Sequence, residues 1–300
     1  MTKIAVIAGG FSDERVVSLR SGAAIANALT ASGYEVTQLD LPQNLDSFGD
    51  SLASYCVVFP VLHGKSGEDG LLQAWLERHN VTFIGPNAAS SELCFDKLRY
   101  TAFLTDNQIL VPASEMVSLK TWQASPLIQA PFVLKPNDGG SSIDTFIVHD
   151  PITADHAAIS EALTRHSEML LQALITGTEI TIGVLLNEAL PVIEIIPPAG
   201  SVFDYENKYN GATQELCPPM HVSDQLQQKA QALALQIHQL TGCRDFSRTD
   251  IIIHNNDLYV LETNTIPGMT QQSLLPKAAA TAGYSMPVMA DRLVKAALSR

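Results

Sequence analysis

Residues 248–264, RTDIIIHNNDLYVLETN, decide how this chain is read. Two apolar runs, Ile251 to Ile253 and Leu258 to Leu261, flank Asn255-Asn256, a pair suited to the tight turn of a hairpin. Strand side chains alternate between faces, so Glu262 and Asn264 share one. Asp250 joins them under one register only, and sitting opposite Glu262 requires a three-residue loop, Asn255 to Asp257. In that register two carboxylates and an amide oxygen offer hard ligands suited to a Mg²⁺ that also touches nucleotide phosphates. A solvated polar face on an edge hairpin would display the same residues. The flanking residues are apolar on both faces, however, and acids on a buried strand pair need a reason, of which a metal is one.

Outward from the hairpin, Thr265-Ile266-Pro267-Gly268-Met269-Thr270 predicts a Pro-Gly turn leading into a helix from Thr270 or Gln271. The Gly268 N–H and that helix N-terminus suit a carboxylate or an oxyanion, although a plain turn and cap explain the same residues. Before the hairpin lie a helix over Asp224 to Leu240, an irregular stretch from Ser201 to Cys217, and strands at Thr178 to Leu186 and Leu190 to Pro197. The middle of the chain reads as helical from Ala88 to Asp106. Strands follow at Pro131 to Lys135, Thr145 to Val148 and Met169 to Ala173, with a helix over Ile152 to Arg165. Lys135 leads into Gly139-Gly140-Ser141-Ser142, whose backbone and hydroxyls suit phosphate, although an ordinary hairpin turn has the same composition.

The first 85 residues alternate strand and helix. Strands are expected at Ile4 to Ala8, Glu35 to Leu39, Cys56 to Leu62 and Val81 to Ile84. Ser12 or Asp13 caps a helix with Val16, Leu19, Ala23 and Ala26 at helical spacing, Gly33 stops it, and a second helix covers Leu71 to His79. This is the pattern of an open parallel α/β sheet, and Gly85-Pro86 is a natural boundary. Glu14 and His63 fall at carboxyl ends of strands, where such sheets place ligands, although a lone residue there is commonly structural. The expected class is α/β and α+β, in units 1–86, 87–173 and 174–300.

Eighteen Lys and Arg stand against 31 Asp and Glu, a formal charge of −13, which disfavours phosphate polymers as partners. With 46% hydrophobic residues the chain can bury a sizeable core. No signal peptide is evident, and no window reaches the ~18 apolar residues of a membrane span. Cys56, Cys94, Cys217 and Cys243 form no CxxC pair and suit reduced thiols in the cytoplasm. GxSxG is absent, and Gly9-Gly10 without GxGxxG is a weak basis for a nicotinamide dehydrogenase.

Seven segments occur in family order: 9–18 (GGFSDERVVS), 63–70 (HGKSGEDG), Asp96-Lys97, 135–142 (KPNDGGSS), 204–209 (DYENKY), 248–250 (RTD) and 262–270 (ETNTIPGMT). Together they resemble D-alanine–D-alanine ligases over nearly the whole chain. The resemblance implies an ATP-grasp fold of three units, a parallel α/β unit followed by two α+β units that clasp ATP. It implies Lys97, Lys135 and Lys208 near the phosphates, and Gly140, Ser141 and Ser142 as a lid over them. Gln172, Ala173, Leu174 and Ile175 would face the adenine, and Glu179 the ribose. Asp250, Glu262 and Asn264 would hold two Mg²⁺, with Mn²⁺ able to substitute. Glu14 would take the first D-alanine's ammonium, with His63 near its carboxylate. Arg248 and the Gly268 N–H would stabilise an oxyanion, and Ser273 and Leu274 would receive the second carboxylate. Tyr209, Ser141 and Glu14 resemble a trio that closes the lid.

A cytoplasmic homodimer in peptidoglycan-precursor synthesis follows from the same resemblance, with D-alanine and ATP as ligands and neither nucleic acid nor membrane as partner. D-serine- or D-lactate-joining relatives are the near alternatives, and Tyr205 to Tyr209 argues against the lactate type. Gly139 and Asp144 stand where the family usually has Glu and Gly, Gln172 where it often has Glu, and Ser247 where Gly is common. These departures motivate a second alternative, a non-catalytic ATP-binding regulator of the same fold.

Overall fold

The computed structural model describes residues 1–139, 144–198 and 213–300, and they form three sheets. In the first, β1 (Lys3–Ala8) runs parallel between β2 (Glu35–Asp40) and β3 (Val57–Pro60). Ile4 to Ala8 are buried, as in a parallel strand covered on both faces. The expected fourth strand shrinks to a single parallel bridge between Val58 and Phe83. Helix α1 (Arg15–Ala31) buries Ser18, Ser21, Gly22, Ile25, Ala26 and Leu29. Of the four apolar residues at helical spacing, Ala26 is buried, whereas Val16 and Leu19 are 58% and 42% exposed. Close approach decides the rotation: a Cβ on Gly22 would lie 2.5 Å from the Ala8 Cβ, so the small face meets the sheet. Ser18 can be buried because its hydroxyl accepts from Gly9 N at 2.9 Å and donates to Val61 O at 2.6 Å. Helix α2 is Leu71–Arg78.

Residues 88–106 form two helices, α3 (Ala88–Phe95) and α4 (Lys97–Asp106), because Asp96 leaves the helix to cap α4, accepting from Arg99 N. The second sheet is antiparallel in the order β4 (Ser114–Ser118), β7 (Glu168–Ala173), β5 (Phe132–Lys135), β6 (Phe146–Val148). Helix α5 (His156–His166) packs Ile159, Ala162 and Leu163 against it. It starts at an Asp155 cap rather than at Ile152, which lies in a 3₁₀ turn. β4 was not foreseen, since Val117 is its single buried side chain.

The third sheet has the order β11 (Gln214–Leu216), β10 (Ile193–Ile196), β8 (Thr178–Leu185), β12 (Phe246–His254), β13 (Asp257–Asn264), with β9 (Glu188–Ala189) pairing β8. Helix α6 (Asp224–Leu240) shares one core with α3, α4 and this sheet. Helices α7 (Leu274–Thr281) and α8 (Met286–Leu298) share a second core with α1 and the first sheet. The β12–β13 hairpin therefore lies between two cores.

Its turn has only two residues, Asn255 and Asn256, both left-handed at φ 51 and 71, with His254 opposite Asp257. Asp250 nevertheless faces Glu262, because the register shifts between Asp250 and Ile251 and leaves Leu261 as the extra residue of a bulge. The three-residue loop expected for this pairing is thus replaced by a bulge.

Candidate active site

The Asp250 carboxylate is the centre of the polar network on the hairpin. Arg248 grips it with two bonds, Nε to Oδ1 at 3.0 Å and an Nη to Oδ2 at 2.9 Å, and both side chains are 13% exposed. Thr181 Oγ1 from β8 donates to Oδ1 at 2.5 Å, and Asn264 Nδ2 to Oδ2 at 3.2 Å. Burial works against the charge on Arg248. Asp250, with Glu262 and Glu68 beyond it, more than offsets that and raises the guanidinium pKa. No group of three His, Cys, Asp or Glu side chains converges among the described residues; the oxygen donors that the hairpin brings together are the carboxylates of Asp250 and Glu262 and the amide of Asn264.

Two clefts meet at this hairpin. One, of about 1300 Å³, is lined by Glu14, His63, Arg248, Glu262, Asn264, Gly268, Ser273 and Leu274. The other, of about 1010 Å³, is lined by residues of the second and third sheets: Lys135, Gln172, Ala173, Leu174, Ile175, Glu179 and Asp250. Glu14, Lys97 and Glu262 line both. Lys97 reaches this junction because the loop after β5 docks on the start of α4. Asn137 accepts from Leu98 N at 2.9 Å and donates to Asp96 at 2.9 Å, and Lys97 Nζ donates to Gly139 O at 2.6 Å. Gln172 is buried, with its amide donating to Ser114 Oγ at 2.8 Å.

His63 is buried with both ring nitrogens engaged, Nδ1 3.0 Å from Ile266 O and Nε2 3.4 Å from Ser21 Oγ. Burial lowers its pKa, partly opposed by Glu14. Helix α7 starts at Leu274, just after Ser273, later than the expected Thr270 or Gln271. Thr270 to Ser273 are spent in a turn closed by Ser273 N to Thr270 O at 3.0 Å. This sets Ser273 Oγ 2.8 Å from where a Cβ on Gly268 would stand. Gly140, Ser141, Ser142, Lys208 and Tyr209 lie outside the described residues.

Glu68 was not singled out, although it sits in the quoted HGKSGEDG run. It accepts from Gly64 N at 2.8 Å and Ile266 N at 3.3 Å. Burial and the nearby Glu14 charge push its carboxyl up to about 8, against the pull of those two amides. Ser21 and Thr181 were missed as well. A hydroxyl inside an apolar stretch signals nothing until the fold shows what it faces.

A cleft clasped between two antiparallel sheets, with a parallel α/β unit beside it, is the architecture of ATP-grasp ligases. The family model described as "D-ala D-ala ligase C-terminus" matches residues 100–295. D-alanine–D-alanine ligase of Syntrophotalea carbinolica is 38% identical over 303 residues, covering 99% of this chain and 97% of that protein. The crystal structure of D-alanine–D-alanine ligase from Bacillus anthracis complexed with ATP superposes with a TM-score of 0.84 at 28% identity, covering 100% of this chain and 98% of that one. VanG D-Ala:D-Ser ligase from Enterococcus faecalis gives 0.81 at 29% identity, with 99% of each chain covered. The chain belongs to the D-alanine–D-alanine ligase family.

Proposed function

We propose that this protein joins two D-alanines into D-alanyl-D-alanine at the expense of ATP, for peptidoglycan-precursor synthesis. The observation that carries this reading is the meeting of the two clefts at Glu14, Lys97 and Glu262, which lets a nucleotide phosphate and an amino-acid carboxylate share one junction. Gln172, Ala173, Leu174 and Ile175 would receive the adenine and Glu179 the ribose. Lys97, Lys135 and Lys208 would hold the phosphates, under a lid carrying Gly140, Ser141 and Ser142.

Glu14 would bind the first D-alanine's ammonium, with His63 near its carboxylate. That carboxylate oxygen attacks the γ-phosphorus, the bond to the β–γ bridging oxygen breaks, and ADP and an acyl phosphate result. The second D-alanine, its carboxylate at Ser273 and Leu274, attacks the acyl carbon through its neutral amine. Arg248 and the Gly268 N–H would take the charge of the tetrahedral oxyanion, which collapses with loss of phosphate as the amine proton departs. Ser141 and Tyr209 would close the lid against Glu14. Asp250, Glu262 and Asn264 have the hard-oxygen chemistry to hold two Mg²⁺, or Mn²⁺, which when bound supply neutralisation of phosphoryl charge.

We also propose units at 1–86, 87–173 and 174–300, each of which carries one of the three sheets. We further propose a cytoplasmic homodimer. No helix among the described residues is long and apolar enough to cross a membrane, and the described cysteines are free. The test is ADP release with D-alanine and Mg²⁺, followed by product analysis with D-alanine, D-serine and D-lactate in competition. ATP binding without D-alanine-dependent ADP would favour a regulator, and a predominant depsipeptide or D-serine product would displace the D-alanine reading.

A further inference from the structure

The Ile266–Met269 turn lies between β13 and α7 and belongs to neither. Its backbone is held instead by side chains of the first unit, which reach across about 200 positions of sequence or more. Glu68 Oε1 accepts from Ile266 N at 3.3 Å, and Ser21 Oγ accepts from Met269 N at 3.2 Å. Between them, His63 Nδ1 lies 3.0 Å from Ile266 O. The other Glu68 oxygen accepts from Gly64 N at 2.8 Å, so one carboxyl group ties the loop after β3 to the turn. Ser21 and His63 are buried, and their side chains face each other at 3.4 Å. Amides on either side of Gly268 are thus anchored in the first unit.

We propose that Ser21 and Glu68 are positioning residues for the Gly268 N–H, clamping the turn from both sides so that its donor is aimed before the amino acids arrive. The inference rests on the reading of Gly268 as an oxyanion donor. A backbone donor stabilises developing charge only if it needs no reorientation at the moment of reaction, and a displacement near 1 Å costs about a hundredfold in rate. Gly268 cannot be held through a side chain of its own. Its neighbours' amides are the handles left, and a cation or proton on the reacting groups plays no part in this clamp. A packing role would have a different signature, lowering stability and every ligand affinity together.

The test compares the whole chain with Ser21→Ala, which deletes one acceptor, and Glu68→Leu, which removes both carboxyl oxygens. Backbone hydrogen exchange is followed at residues 265–270 without ligands. Alongside it, kcat, the KM for ATP, and the affinity of a phosphinate dipeptide that mimics the tetrahedral state are measured. Faster exchange at Met269 in Ser21→Ala and at Ile266 in Glu68→Leu is expected. With it should come a ten- to hundredfold fall in kcat, an equal loss of phosphinate affinity and an ATP KM within about threefold of normal. Unchanged exchange at both amides overturns the proposal. So does unchanged kcat, or a uniform fall of all constants in step with Tm. Should the unmodified chain consume no ATP with D-alanine, the functional reading falls by itself, and the exchange measurement then decides the clamp alone.

Discussion

Asp250 stands directly across the ladder from Glu262, although the turn joining their strands holds only two residues. The bulge at Leu261 reconciles the two. Leu261 and Glu262 both line the cleft between the second and third sheets, so an apolar and an acidic side chain stand side by side where a nucleotide would lie.

Replacing Glu262 by Gln should cut turnover by roughly 10- to 100-fold or more while leaving Tm nearly unchanged, because it removes a charged oxygen from a pre-formed site. Titrating Mg²⁺ checks this. The defect should be largest at limiting metal, a chelator should abolish ADP release from the unmodified chain, and an unchanged rate at low Mg²⁺ would refute the ligand role.

Arg248→Met should cost about 3–5 kcal/mol of stability, since it leaves Asp250 buried without its bidentate partner. Arg248→Lys should recover much of that but little of the rate, because an ammonium cannot fork onto both oxygens. Denaturant midpoints set beside kcat for the two variants separate these effects. Equal stability in both would remove the argument from the buried pair.

His238 gives a pH dependence of known sign. Its Nδ1 lies 2.7 Å from Ser247 Oγ, its Nε2 has no partner among the described residues, and burial lowers its pKa from 6.5 to about 4. Between those values the unfolded chain binds the proton and the folded chain does not, so stability falls as pH drops from 6.5 towards 4. By pH 4.5 the loss should be about 2–3 kcal/mol relative to His238→Gln, in which that contribution is absent. Parallel urea melts of the two proteins at pH 7 and 4.5 measure the difference, and superimposable pH profiles would rule it out.

Asp144 adopts φ 51, a conformation that favours glycine, and its carboxylate meets Arg165 at 2.8 Å and His166 at 2.6 Å. Asp144→Gly relieves about 1 kcal/mol of strain while losing a partly exposed ion pair with Arg165 and a hydrogen bond with His166 worth about as much, so its stability should stay within ~1 kcal/mol of the original. Asp144→Ala loses both and keeps the strain, and should melt lower than Asp144→Gly. Identical melting of the two would show that the backbone there is unstrained.

The three-sheet plan was legible because hydrophobic period and turn chemistry are local. Asp224 to Leu240 forms the helix expected of it, and Asn255-Asn256 makes the expected turn. The α1 face was not legible. Gly22 against Ala8 and Ser18 bonded to Gly9 and Val61 depend on partners distant along the chain, and apolar spacing alone does not show that Val16 and Leu19 face outward. β4 escaped notice for a related reason, since an edge strand with one buried residue has almost no pattern to read.

By itself, then, the sequence determined which chemistry is present: Asp250, Glu262 and Asn264 on one strand pair, Lys97 and Lys135 ahead of them, and motifs in ligase order. Only tertiary structure decided that a bulge, not a longer loop, brings Asp250 to Glu262, and that Glu68 and Ser21 of the first unit hold the turn bearing Gly268. Residue type and spacing encode local backbone preference. The partner of a buried carboxylate or hydroxyl is instead set by desolvation, which acts only once distant segments have packed and every buried polar group must find a bond.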